Sequence, residues 1–212
     1  MTPLLRLAPP LLALLLAAAA AAQEADGRPD EYEQLRHKVA IGALGADLPP
    51  PPELEIFAGN EAWFCGKRRF LDSYLPKDHL LRRKRWQDAF LRTVLYESLR
   101  AGVYPDVVMA IIEVESAFRK YAVSVAGARG YMQVMPFWAE WMEREETDNL
   151  FNLRTNIRYG TVILRHYMDL DGLQTEEDRI KRGLQRYYGD LRRLDYYAKV
   201  VAAYQRQRQH RC

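Results

Sequence analysis

From about residue 61 onward, apolar residues recur three and four positions apart, the repeat of one face of an α-helix, almost to the C-terminus. The stretch RRKRWQDAFLRTVLYESLRAG, residues 82–102, carries Trp86, Phe90, Val94 and Leu95 at that spacing, and Gly102 marks its end. A second helix opens at Pro105-Asp106, because a first-turn N–H has no partner inside the helix and proline loses nothing there. A third carries Ile157, Gly160, Leu164, Tyr167 and Met168. A fourth starts at Thr175, with Glu176, Glu177 and Asp178 where the helix dipole favours acids, and with Ile180, Leu184 and Tyr187 on its apolar face. The last runs from about Leu194 through Tyr197, Val201 and Tyr204. No segment alternates long enough for a strand and nothing repeats, so the pattern predicts one compact all-α domain over residues 61–212. Residues 23–60, with Gly27, Pro29, Gly42, Gly45 and the run Pro49 to Pro52, predict an extended lead-in.

The 212 residues are 49% apolar, enough for one domain with a core. Thirty-one basic residues against 28 acidic ones leave a net charge of +3, too mild to point to nucleic acid. Residues 1–22 read as an export signal: Arg6 supplies the positive start, Leu11 to Ala22 the apolar run, and Ala20-Ala21-Ala22 a small-residue cleavage site. Twelve continuous apolar residues fall short of the roughly 20 that span a bilayer. No cysteine lies near that site to accept a lipid. The expected location is therefore outside the cytoplasm. The only cysteines are Cys65 and Cys212. In an oxidising compartment an even count favours pairing, and two unpaired thiols are the other reading.

Chemistry concentrates in EVESAFRKYAVSVAGARGYMQVMP, residues 113–136. On a helical wheel with Val107 at zero, Ile111, Val108 and Ile112 fall at about 40°, 100° and 140°, and Glu115 at about 80° lies among them. Glu113 falls at about 240°, beside Asp106 at about 260°. The wheel thus predicts a desolvated Glu115 with a raised pKa and an ordinary surface carboxylate at Glu113. A carboxylic acid kept protonated near neutral pH can donate to a glycosidic oxygen, which needs a proton because sugar alkoxides leave badly. A glutamate that caps a backbone group is the structural alternative. In the loop that follows, Gly127 and Gly130 permit close backbone approach. Gln133 offers both donor and acceptor, and Met135 an adaptable apolar surface.

The run ESAFRKYAVSVAGARGYMQVMP resembles the signature of soluble-lytic-type lytic transglycosylases, bacterial peptidoglycan-cleaving enzymes with a lysozyme-like fold related to goose-type lysozymes. Glu115-Ser116, Phe118, Ser124, Gly127-Ala128, Gly130, Met132-Gln133 and Met135-Pro136 match without a gap. The resemblance continues through DNLFNLRTNIRYGTVILRHYMD, residues 148–169, and resumes at GLQRYYGD, where the family usually shows Ala-Tyr-Asn. It covers about residues 104–204.

The resemblance implies a single-glutamate mechanism. Glu115 protonates the bond between N-acetylmuramic acid and N-acetylglucosamine, then takes the proton from the muramoyl C6 hydroxyl as a 1,6-anhydro ring closes, supported by the substrate's N-acetyl group. It implies that Ser124, Gln133, Met135 and Tyr187 line the cleft, that glycan strands of peptidoglycan are the partner, and that no cofactor takes part. His37, His79, His166 and His210 are scattered without ligand spacing, so no metal site is expected. A muramidase that uses water and a non-catalytic peptidoglycan-binding scaffold are the alternatives. Two departures stand out. Tyr131 replaces the usual leucine, as a packing change or an added sugar-stacking surface, and Tyr188 replaces the asparagine that helps line the family's cleft. Lys67-Arg68-Arg69 and Arg82-Arg83-Lys84-Arg85 read as solvated helix faces, with an anionic lipid or wall polymer as the other reading.

Overall fold

The computed structural model describes residues 55–138, 149–191 and 195–212; the export signal and nearly all of the lead-in lie outside them. A single turn, α1 (Glu55–Ala58), precedes α2 (Glu61–Tyr74). A short 3₁₀ turn (Leu80–Arg82) leads into α3 (Lys84–Ala101), followed by α4 (Pro105–Ser116), α5 (Leu153–Asp169), α6 (Glu176–Tyr188) and α7 (Asp195–Arg208). The described residues contain helices and isolated bridges but no strands, which is the all-α class the periodicity predicts. The packed body begins slightly before residue 61. Phe57 is buried, its ring 6.2 Å from that of Phe64 and under the Arg92 guanidinium at 4.7 Å.

The helix ends follow from local chemistry. Gly102 closes α3 in the left-handed region at φ 69°, which a side chain disfavours. Pro105 opens α4. Asn152 caps α5 by accepting from the N–H groups of Arg154 and Thr155, and Thr175 caps α6 by accepting from Asp178. α5 packs on α3 and α6, and α7 lies against α4. Residues 107–113 of α4 are all buried, so this helix is the central one.

One face is shifted from the sequence expectation. α7 buries Tyr196, Val200, Ala203 and Gln207, whereas Tyr197, Val201 and Tyr204 are half-buried. The true face carries a polar residue that an apolar criterion skips: Gln207 donates to the Met109 carbonyl at 3.2 Å and to Glu113 at 2.8 Å.

The interior holds charge only where it is matched. Glu97 is fully buried and accepts from Arg158 at 2.8 and 2.9 Å, Arg154 at 2.9 Å and Arg100 at 2.8 Å, which ties α3 to α5. Burial works to raise its pKa, but the hydrogen bonds from Arg158 and Arg154 and the Arg158 charge outweigh it and hold the carboxyl below its usual value. The basic clusters divide in the same way. Lys67 is buried against Asp106 at 2.6 Å and Arg68 pairs with Asp88 at 2.8 Å, while Arg83, Lys84 and Arg85 are exposed.

Cys65 and Cys212 are joined, which ties α2 to the end of the chain across 147 residues. Gly66 makes room for that tail: a Cβ there would lie 2.4 Å from the His210 carbonyl oxygen. Denatured, unreduced protein is therefore expected to show no reactive thiol, and reduction to cost about 3–5 kcal/mol of stability by loop-closure entropy. Two titratable thiols per chain in the unreduced exported protein would contradict the bond.

Candidate active site

Glu115 sits in the last turn of α4, and the chain reverses immediately after it. Ala117 at φ 48° and Phe118 at φ 62° are consecutive non-glycine residues in the left-handed region, each costing roughly 1 kcal/mol or more. Packing sustains them. The Phe118 side chain is fully buried, with its ring 5.9 Å from Phe70, 5.8 Å from Tyr74 and 6.1 Å from Phe90. The turn is also tied at the backbone, where Ala117 N–H donates to Glu113 at 3.0 Å and Arg119 Nε donates to the Ser116 carbonyl at 2.9 Å.

The Glu115 carboxyl keeps partial contact with solvent and accepts one hydrogen bond, from the Tyr196 hydroxyl to Oε1 at 2.6 Å. Burial raises its pKa and the Tyr196 bond works the other way; the balance leaves it at about 7. Tyr196 itself is buried, and burial together with the facing carboxylate holds its phenol well above its usual value. Tyr187 of α6 also faces Glu115, but its hydroxyl donates to the Met132 carbonyl at 2.8 Å. Tyr187, expected to line the cleft, thus holds the loop, and Tyr196, nine residues later and given no role by the sequence pattern, meets the acid.

The loop over residues 119–135 is braced from within. Ser124 Oγ accepts from Ala128 N–H at 3.0 Å, Gly130 N–H donates to Ala122 at 2.9 Å, and Arg129 and Val134 exchange backbone bonds at 2.9 and 3.0 Å. Gln133, at φ 52°, donates its carboxamide N–H to Gly130 at 2.9 Å and Ala122 at 3.2 Å, so its oxygen is the half left to meet a ligand. Asn156 of α5 anchors the whole turn: it accepts from Met132 N–H at 2.8 Å and donates to Arg129 at 2.8 Å and Leu150 at 2.9 Å. A Cβ on Gly130 would lie 2.4 Å from the Asn156 amide nitrogen, which explains the glycine. Met132 is fully buried against Gly160, and Met135 is half-buried against the core.

The structure therefore gathers Glu115, Tyr187 and Tyr196 directly. Gln133 and Ser124 belong to the loop that Tyr187 and Asn156 hold, and their side-chain hydrogen bonds run within that loop. Tyr131 is 3% exposed with its ring 5.0 Å from Phe90, so of its two readings the packing one holds.

The expectation for Glu113 is corrected. It is 5% exposed and receives Arg206 Nε at 2.9 Å, a second bond from Arg206 Nη2, and Gln207 Nε2 at 2.8 Å. The wheel assigned its arc to solvent because the arc is polar. In the fold that arc faces α7, which brings the matching cation and amide.

Among known proteins, the family described as transglycosylase SLT domain matches residues 93–205. Membrane-bound lytic murein transglycosylase C of Actinobacillus pleuropneumoniae serotype 5b (strain L20) is 38% identical over 94 residues, 40% of this chain and 26% of that protein. The protein of the same name from Glaesserella parasuis serovar 5 (strain SH0165) is 37% identical over 94 residues, with the same coverage of 40% and 26%. The chain spans about a quarter of the length of the curated relatives it matches. No solved structure matches it.

The Glu115 carboxyl binds its proton more tightly in the fold, at about 7, than at its ordinary value of 4.5. The stability it contributes is complete below about 4.5 and is lost as the pH rises through 7. Glu115→Gln, which does not ionise, is expected to melt above wild type at pH 8, with the gap closing as the pH falls toward 4.5. A wild-type melting temperature equal to the variant's at both pH values would show that the carboxyl is not desolvated.

Proposed function

The chain belongs to the transglycosylase SLT domain family, and on that premise we propose that it cleaves peptidoglycan glycan strands without water. The observation that carries this reading is Glu115: a partly exposed carboxyl, protonated up to about pH 7, with Oε1 occupied by Tyr196. Oε2 is then the oxygen that holds the proton and delivers it to the glycosidic oxygen between N-acetylmuramic acid and N-acetylglucosamine. As that bond breaks, the substrate's N-acetyl group supports the developing positive charge at C1. The muramoyl C6 hydroxyl adds to C1 and returns its proton to Glu115, closing a 1,6-anhydro ring and restoring the acid. Every proton in the sequence passes through one carboxyl, so a pKa near 7 suits it to both halves of the cycle.

Gln133 is the proposed hydrogen-bonding wall of the cleft through its free oxygen, with Ser124 bracing the loop, Met135 offering apolar surface and Tyr187 setting the Met132 backbone. The relatives, membrane-bound lytic murein transglycosylases by name, support the same reaction and an envelope setting. The amino-terminal export pattern supports action in the periplasm. Among the described residues no helix is long and apolar enough to cross a membrane.

Digestion of purified sacculi followed by mass spectrometry tests the reading. Wild-type muropeptides are expected to end in 1,6-anhydromuramic acid, lighter by one water than reducing-end products. Glu115→Gln is expected to remain folded and to lose at least about 100-fold in turnover, the scale of a positioned general acid. Reducible ends throughout would make the enzyme a hydrolase with the same acid. Wild-type turnover by Glu115→Gln would remove Glu115 from the mechanism altogether.

A further inference from the structure

We propose that Tyr188 is a positioning residue whose ring, stacked on Tyr196, holds the Tyr196 hydroxyl on Glu115. The two rings lie 4.8 Å apart at an interplanar angle of 22°, a stacked pair. Tyr196 is 3% exposed and Tyr188 is 40% exposed, so Tyr188 is the outer layer and Tyr196 the inner one. On its inner side Tyr196 reaches Glu115 at 2.6 Å. Tyr196 is therefore held from two directions, its ring against Tyr188 and its hydroxyl on Glu115.

The positions of the two rings explain why a clamp is useful. Tyr196 is the second residue of α7, in a first turn where the backbone N–H groups lack intrahelical partners and helices fray. Tyr188 is the last residue of α6, and Gly189 ends that helix in the left-handed region at φ 86°. The following turn is held by Gln185, whose amide donates to the Leu191 carbonyl at 2.9 Å. Stacking thus ties the loosest turn of α7 to a fixed end of α6. A stacked aromatic pair is favourable beyond the area it buries, enough to favour one ring orientation severalfold. The asparagine that the family resemblance leads one to expect at 188 has no ring and cannot do this, so the device belongs to this chain.

The proposal rests on Glu115 as the proton donor, but its test needs no substrate. Among the described residues, the titratable groups facing Glu115 are Tyr196 of α7 and Tyr187 of α6, with Tyr167 of α5 and Tyr188 of α6 behind them. The Tyr196 bond favours the ionised carboxyl, so loosening it moves the Glu115 titration upward, whereas a ring that only keeps water out would on removal move it downward. Carbon-detected NMR of protein labelled at the glutamate side-chain carboxyl reads the Glu115 midpoint directly, with melting temperatures recorded alongside.

Tyr188→Ala is expected to raise that midpoint by about 0.5–1 pH unit, part of the effect of losing one bond to a charged group. Tyr188→Leu, which preserves apolar cover without a flat ring, should do the same and serves if the alanine variant does not fold. Tyr188→Phe, which keeps the stack, should retain the wild-type midpoint. In a Tyr196→Phe background, Tyr188→Ala should add no further upward shift, since the bond it supports is already gone. An unchanged or lowered midpoint in both ring-deleting variants, or an equal upward shift with Tyr196→Phe present, overturns the proposal. Wild-type turnover on sacculi, measured separately, reports whether the underlying reading of Glu115 stands.

Discussion

A buried carboxyl must be matched by a cation, supplied with several donors, or left neutral. Three glutamates in this fold take different routes. Glu97 is surrounded by Arg100, Arg154 and Arg158 and is held ionised. Glu113 is met by Arg206 and Gln207. Glu115, two residues further along the same helix, is given a single phenol. One neutral donor does not offset the loss of water, so the carboxyl retains its proton to about pH 7. The proposed chemistry follows from that imbalance between neighbours.

The surrounding structure serves to keep the imbalance in place. The left-handed pair Ala117 and Phe118 turns the chain away directly after Glu115, and the aromatic nest of Phe70, Tyr74 and Phe90 keeps the turn from relaxing. Asn156 gathers the loop that carries Gln133, and Tyr187 fixes the Met132 carbonyl from the opposite side. Asn156 and Tyr187 thus hold the loop, and among the described residues no cation pairs with Glu115.

Much of this was legible in the chain. The helices, their caps at Gly102, Pro105 and Thr175, and the desolvation of Glu115 follow from spacing and from a carboxyl set among isoleucines and valines. Glu113 was misread because the wheel sees only one helix. α4 is buried all round over residues 107–113, and what covers its polar arc is a property of α7, some 90 residues away in sequence. Tyr196 was missed for a related reason: the buried face of α7 includes Gln207, so ranking faces by apolar content selected Tyr197, Val201 and Tyr204 instead. Asn156 stood in the quoted pattern, but its role depends on three backbone groups from a distant loop, which no local signal reveals.

The central claim is that Glu115 is an acid near neutral pH because burial outweighs its one hydrogen bond. Its direct test is the titration of that carboxyl in the unmodified protein, followed by carbon NMR of the side chain from pH 3 to pH 9 and assigned by its loss in Glu115→Gln. A midpoint near 7 is the result this account predicts. A midpoint near the ordinary 4.5 would mean that the carboxyl is solvated and ionised at neutral pH, and would contradict it.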